Sequence, residues 1–332
     1  MNQVLNVGRW EWFKLVRRWL IWLLLFLLVA FSLATIWGNL YAYRQLKATG
    51  VEVRFGIGEQ GGRVGCNDLL AGRLPAKLQS AQPTVVQSLI TQCNDATTRQ
   101  RLQQRLQDMY QHFTAPGSLV YMLQQAQALV VLLATILAAS LIGAEYGLGT
   151  LRPVLASGTG RWQYLAGKLL LLALAVGAAL AILTATSYVA SLVAKAFEST
   201  APGGAAPFAW GDVGAAFGKD WFALLPDVAL TAFVTVLVGS TAFGLAIGLG
   251  YYLAELSIVV IFAPFSWFDS MANFLLGRAM AGWNGGGLFN SANISVPSDL
   301  QSVIVLAIYT VVLGSLAFSM FLRRDVKGAL GS

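Results

Sequence analysis

The sequence predicts an all-α integral membrane protein with six transmembrane helices. Three observations lead there. Of 332 residues, 57% are hydrophobic and only 11% are charged, against about 25% charged in a soluble domain. Six apolar stretches are long enough, or nearly so, to cross about 30 Å of hydrocarbon. The basic residues behind a net charge of +7 sit beside those stretches. Arg9, Lys14, Arg17 and Arg18 precede the first, and Arg323, Arg324 and Lys327 follow the last. That placement is topological. It gives no phosphate-tracking groove, so no nucleic-acid partner is expected.

Taken in order, residues 1–18 mix Trp10, Trp12 and Phe13 with basic residues and suit a helix at the cytoplasmic interface. Residues 19–43 carry no charge and form the first span. A signal peptide cleaved near Ser32-Leu33-Ala34 is the competing reading, but the apolar run continues past that point. The positive-inside rule places the N-terminus in the cytoplasm and residues 44–117, a polar region, outside. Cys66 and Cys93, the only cysteines, both fall there. A disulfide is the expected pairing, with two independent buried thiols as the alternative. Leu102, Leu106 and Met109 or Tyr110 recur at helical spacing within a helix expected over 84–113. Cys66, Asp68, Cys93, Asp95 and His112 match no zinc spacing, and His112 reads as a surface residue.

Residues 118–144 form the second span, with Gln124, Gln125 and Gln127 near its outer end. Amides there either line a pathway or hold helices together. Residues 145–168 are a charged inner loop. Glu145 opens it, glycines 147 and 149 turn it, and Thr150-Leu151-Arg152-Pro153-Val154-Leu155 is a short amphipathic phrase. Glycines 158 and 160 then break the phrase before Arg161 and Lys168. A stub helix across the mouth of a helix pair fits this order, and an ordinary basic loop is the plainer alternative. Residues 169–194 are the third span and 195–227 an outer loop with Asp212, Lys219 and Asp220. Residues 228–254 are the fourth span, where Ser240, Gly244 and Gly248 present a small face for close helix approach. Glu255 occupies a tight inner turn. The fifth span, 256–277, bends at Pro264, and the Gly- and Asn-rich segment 278–299 reads as an outer re-entrant element. Residues 300–322 are the sixth span and 323–332 a cytoplasmic tail, which puts both termini inside.

The chemistry expected of this chain alone is sparse. No stretch fits the phosphate-cradling loop GxxxxGK[ST], because Leu169 stands where Ser or Thr is needed after Lys168. No HExxH cluster is present, and His112 is the single histidine. The spans as drawn carry no charge near their middles, which argues against a proton relay or an ion-coupled carrier. The chain is therefore expected to be no enzyme, with no metal or cofactor of its own.

Glu145, the Gly-Thr-Leu-Arg of 149–152, the Leu-Ala-Ser-Gly of 155–158, Arg161 and the Gly-Lys of 167–168 together resemble the cytoplasmic loop of ABC-2 type transporter permeases. The resemblance implies six transmembrane helices of ABC-2 type, an outward domain between the first two, and a re-entrant element before the sixth. It implies that Thr150 to Leu155, following Gly149, form a coupling helix seated in an ABC ATPase subunit, where ATP and Mg are bound. Glu145, Leu151, Arg152 and Leu155 would make that joint, with Arg161 and Lys168 anchoring the third span. It further implies a second permease copy or a related permease, membrane lipid around both, and a bacterial or archaeal cytoplasmic membrane. The pathway would run at the permease interface, involving the second and fifth spans, with Gln124, Gln127, Phe262, Phe265 and Phe268 as wall candidates. A hydrophobic or amphipathic cargo would be exported by alternating access. The outer region is larger than in the simplest members, and a membrane scaffold or sensor whose outer domain binds a ligand or partner is the competing function.

Overall fold

A computed structural model of the chain describes residues 12–13, 17, 19–57, 60–74, 76–79, 83–148, 160–198, 202, 208–286, 289 and 296–323. Among these the order is α1 (Trp19–Thr49), β1 (Glu52–Ile57), β2 (Gln60–Gly65), α2 (Cys66–Leu70), α3 (Ala76–Gln79), α4 (Pro83–Asn94) and α5 (Ala96–Phe113). There follow α6 (Gly117–Leu148), α7 (Arg161–Phe197), α8 (Trp210–Val238), α9 (Thr241–Phe262), α10 (Ser266–Ala272), α11 (Leu276–Asn284) and α12 (Asp299–Arg323). Six of these helices, α1, α6, α7, α8, α9 and α12, are long and apolar enough to cross a membrane. The mostly helical, six-span expectation holds. Several boundaries do not.

The largest correction concerns the fourth and fifth spans. The expected outer loop 195–227 and fourth span 228–254 are replaced by α8, which begins at Trp210, and by a break after Val238. Gly239 makes the break: its φ of +73° is a left-handed backbone that glycine adopts without a Cβ penalty. Glu255, expected in a turn, lies inside α9 and is buried. Asp212, Lys219, Asp220 and Asp227 all lie on α8, so charge that read as loop is helical. Pro226 lies inside the same helix; a proline is tolerated in a bundle where neighbouring groups satisfy the freed carbonyl. The fifth span is therefore α9, ahead of the expected 256–277, and α10 and α11 occupy part of what read as its continuation.

Smaller differences follow one rule, that helices outrun their uncharged cores. α1 continues past residue 43 through Arg44 and Lys47, and α7 begins at Arg161 rather than 169. The helix expected over 84–113 is two helices, α4 and α5, parted at Asp95, and a β-hairpin precedes them. Of the expected interface helix only residues 12, 13 and 17 are described, and of the tail only Arg323.

The described chain divides into two compact units. One comprises Ser32–Tyr121 and Thr186–Trp210. Its core is Val64, Cys66, Leu69, Leu78, Leu89 and Cys93, with Val53, Leu74, Val85, Val86 and Ile90 packed around them. β1 and β2 pair antiparallel from Glu52 opposite Gly65 to Ile57 opposite Gln60. Cys66 and Cys93 are joined as a disulfide, which ties α2 to α4 as expected. The last carbonyls of α1, on Lys47 and Ala48, accept from the Asn67 side-chain amide, so its C-terminus is capped from α2. Tyr43, Tyr110 and Phe113 pack as an aromatic triangle. Arg44 and Lys47 engage Glu198, and Arg44 also donates to the Phe197 carbonyl. The His112 ring stacks on Tyr121 at 4.0 Å, so this histidine is half-buried rather than the surface residue expected.

The other unit comprises Met1–Phe31, Met122–Ala185 and Gly211–Ser332. Within it α6 is the most enclosed candidate span, while α9 and α12 leave apolar faces open. α7 joins α8 where Trp221 donates its indole N–H to the Ala173 carbonyl at 2.8 Å. α7 meets the end of α12 through stacked Tyr164 and Phe321 and through Arg161, which donates to the Leu322 carbonyl at 3.1 Å.

Candidate functional site

Small residues on α9 set up the site. Gly244 stands against Thr235 of α8 and Ala139 of α6, and Gly248 stands against Thr231 and Thr135. A Cβ on Gly248 would lie 2.6 Å from both Thr135 Cγ2 and Thr231 Oγ1. α9 therefore approaches two helices more closely than any larger residue allows. The pairs fix an antiparallel register, because each step of four along α9 is a step of four backward along α6 and α8. The next layer brings Tyr252 beside Asp227 and Val131, and the one beyond it brings Glu255 to the level of Gln127. Ser240, expected on the same small face, is instead the cap residue at the α8–α9 break.

The seam so built is polar. Asp227 is only 2% exposed, and its Oδ2 lies 3.0 Å from Thr135 Oγ1. Asp220, two turns along α8, is also buried, with Oδ2 unpartnered among the described residues. Thr231 Oγ1 and both amide atoms of Gln127 are likewise buried and unpartnered. Tyr252 lies within electrostatic reach of both Asp227 and Glu255. This overturns the expectation that the spans hold no internal charge. Asp227 and Asp220 read as loop only because α8 was started too late. A shift of the window toward Trp210 places both on one helical face, at i and i+7.

At one end the seam meets α11. Glu255 Oε1 accepts from the Arg278 backbone amide at 3.0 Å, placing a carboxylate at the N-terminus of α11, where the orphan amides and the helix dipole favour it. Gly277 has no room for a side chain: a Cβ there would lie 2.9 Å from Glu255 Oε1 and would also meet the Phe289 ring. Arg278 is buried and donates to the Phe289 carbonyl at 2.8 Å. At the other end of α11, Trp283 donates to the Lys219 carbonyl on α8 and Gln124 of α6 donates to the Asn284 carbonyl. One short helix thus touches α6, α8 and α9.

At the opposite end of α6, beside the connection to α7, Glu145 and Lys168 form a buried ion pair at 3.0 Å. Lys168 is 1% exposed, donates to the Leu141 carbonyl at 2.6 Å and stands 4.9 Å from the centre of the Tyr164 ring. Three contacts of this kind repay part of the cost of removing an ammonium from water. The pair staples α6 to α7. Arg161, the first residue of α7, reaches the end of α12. Gly149, Thr150, Leu151, Arg152 and Leu155 lie outside the described residues.

The wall candidates separate into two groups. Gln124 and Gln127 belong to the seam, one bonded to Asn284 and one buried. Phe262, Phe265 and Phe268 do come together, with Trp267, in an aromatic cluster of 5.6–6.3 Å centroid spacing. Phe268 is buried against Val259, Ala272, Ala281 and Phe289, while Phe265 is 51% exposed. Among the described residues no group of three or more metal-ligating side chains converges.

A family model described as "Protein of unknown function (DUF2705)" matches residues 102–327, more than half of the chain. Neither curated proteins nor solved structures gave a match. The matched segment runs from within α5 past the end of α12 and so takes in the whole seam, α11 and the Glu145–Lys168 pair.

Proposed function

The chain belongs to the DUF2705 family, and from that premise we propose that it is an ABC-2 type permease subunit of an ATP-driven transporter. The observation that supports this most is the joining of α6 and α7, the helices on either side of residues 149–159 in the sequence. Glu145 lies in the last turn of α6 and Lys168 two turns into α7, and those two residues are locked in a buried pair. Two helices joined by such a pair can take up force from a docked protein together. Thr150 to Leu155 are the coupling helix in this reading, and the ATPase partner carries ATP and Mg. The Glu145 end of the bundle is cytoplasmic by the positive-inside rule. The disulfide-bonded hairpin region and α11, as the re-entrant element, are then outside or at the outer surface, in a bacterial or archaeal cytoplasmic membrane.

The partner permease, a second copy or a relative, docks on the open apolar face of α9, where Phe262 and Phe265 are available for a hydrophobic or amphipathic cargo. Nucleotide shifts the permease between states only through its differential affinity for them, transmitted through α6 and α7. The competing reading is a scaffold or sensor, favoured by the disulfide-tied region, which has its own core. Co-purification in nanodiscs with candidate ABC ATPase subunits separates the two. Capture by wild type, and its loss together with stimulated ATP hydrolysis in Leu151→Asp/Leu155→Asp, is the result expected of a permease. Equal capture by that variant, or no capture at all, removes the coupling assignment.

A further inference from the structure

The Thr135 hydroxyl has one proton to give and two acceptors within reach. It lies 2.9 Å from the Val131 carbonyl and 3.0 Å from Asp227 Oδ2, and both of those atoms accept when Asp227 is ionised. A threonine hydroxyl has one proton to donate and lone pairs to accept with. If that proton goes to the Val131 carbonyl, the second contact is a full hydrogen bond only when Asp227 supplies the proton. The carboxyl then donates to Thr135 Oγ1.

Burial points the same way. A bare carboxylate at 2% exposure needs a cation or several donors. Among the described residues the neighbours do not provide a cation. α6 presents Thr135 and Gln127, neither of them titratable, and α9 presents Tyr252 and, one turn on, the carboxyl of Glu255. On its own helix Asp227 has Thr231 and Asp220. Lys219 of α8 pairs with Asp299, Arg278 of α11 engages the Phe289 carbonyl, and Lys168 of α7 pairs with Glu145.

A second, independent observation marks a route. Thr231 Oγ1, 0% exposed and unpartnered among the described residues, points at Gly248 beside the Thr135–Asp227 contact. Further along the seam toward α11, the buried Gln127 amide, Glu255 Oε2, Asp220 Oδ2 and the Asn284 amide are also unpartnered among the described residues. By the helix register these groups form successive polar layers, Asp220 lying roughly 10 Å along α8 from Asp227. Buried polar groups without protein partners call for water or an exchangeable proton.

We infer that Asp227 is a proton-binding site inside the helix bundle, reached from the α11 end through the layers of Gln127, Glu255 and Asp220. The step is proton binding alone: the carboxylate gains a proton from water arriving along the seam, and the O–H so formed points at Thr135 Oγ1. Loss of the proton leaves an ionised group among three closely packed helices, so loading and release act on the α6–α8–α9 packing. The inference does not depend on an ATPase partner.

Infrared difference spectroscopy on the full chain in nanodiscs tests it. The C=O stretch of a protonated carboxyl at neutral pH, lost in Asp227→Asn and retained in Asp220→Asn, is the expected result. Thr135→Val keeps the carboxyl but removes its acceptor, and should shift that band without abolishing it. Absence of a protonated-carboxyl band in wild type from about pH 5 to about pH 8 overturns the inference, whatever the variants do. So does a band whose intensity and position are unchanged in Asp227→Asn. Should Asp227→Asn not fold, a band indifferent to Thr135→Val also overturns it.

Discussion

Replacing Lys168 by methionine removes the ammonium and keeps the volume. At 3.0 Å from Glu145 the pair attracts by about 5 kcal/mol at an effective dielectric constant of about 20. The charge-assisted bond to the Leu141 carbonyl adds about 1.5–3 kcal/mol. Against these stands a desolvation cost of several kcal/mol for each ion. The net worth of the pair is therefore small, while the cost of breaking it is large. Lys168→Met strands a buried carboxylate and Glu145→Met strands a buried ammonium, and each should cost about 3–5 kcal/mol. The double variant strands neither and should return to within about 1–2 kcal/mol of wild type. The assay is reversible unfolding in mixed micelles followed by tryptophan fluorescence, with all four proteins in one cycle. Coupling of at least about 2 kcal/mol is expected. Additivity within about 0.5 kcal/mol would show that the two groups do not depend on each other, and the staple between α6 and α7 would have to be abandoned.

Gly248→Leu should destabilise by about 3 kcal/mol or more by the same unfolding assay, because the added atoms meet Thr135 and Thr231 where even a Cβ is crowded; tolerance at wild-type stability would show that α9 does not pack as described. Cys66→Ser/Cys93→Ser opens a loop closed over a sequence separation of 27 and should cost the hairpin-containing unit roughly 3–4 kcal/mol, read as faster proteolysis between residues 50 and 113. His112 is held below its ordinary pKa of 6.5, chiefly by burial, with Asp108 opposing the shift. The unfolded state then binds the proton more readily, so this histidine's contribution is intact above about pH 6.5 and is lost as pH falls from there through the folded value. His112→Gln should flatten the melting profile in that window, and an unchanged profile would remove the histidine from the account.

Much of the architecture was legible because length and hydropathy report a membrane span directly. Six such runs stand in the sequence, and among the described residues six helices are long and apolar enough to cross. The disulfide was legible for a similar reason, since two cysteines in one polar region leave one intramolecular pairing. What was not legible was where α8 begins. Asp212, Lys219 and Asp220 are polar, and polarity is what separates loop from span in a hydropathy reading. Only packing against α6, α9 and α11 lets a helix carry such groups through a bundle. Gly239 was equally silent: glycine is common in membrane helices, and nothing local distinguishes one at φ +73° from those inside a helix. Half of the candidate site was missed with them, because Asp220 and Asp227 were assigned to a connection. Gln124 and Gln127 stand out by their cost in an apolar run, and one bonds Asn284 while the other is buried beside α8 and α9.

α11 is nine residues long, yet it is fastened to three helices several times its length. Its fastenings are separate: a carboxylate at one end, an indole near the other, and a side-chain amide on the last turn. Each neutral bond contributes about 1 kcal/mol net and the charged one about 1.5–3 kcal/mol, so thermal energy releases them one at a time more readily than together. Sliding of α6, α8 or α9 past the others therefore cannot be smooth. Moving any one of the three would break its own bond to α11 and leave the other two bonds in place.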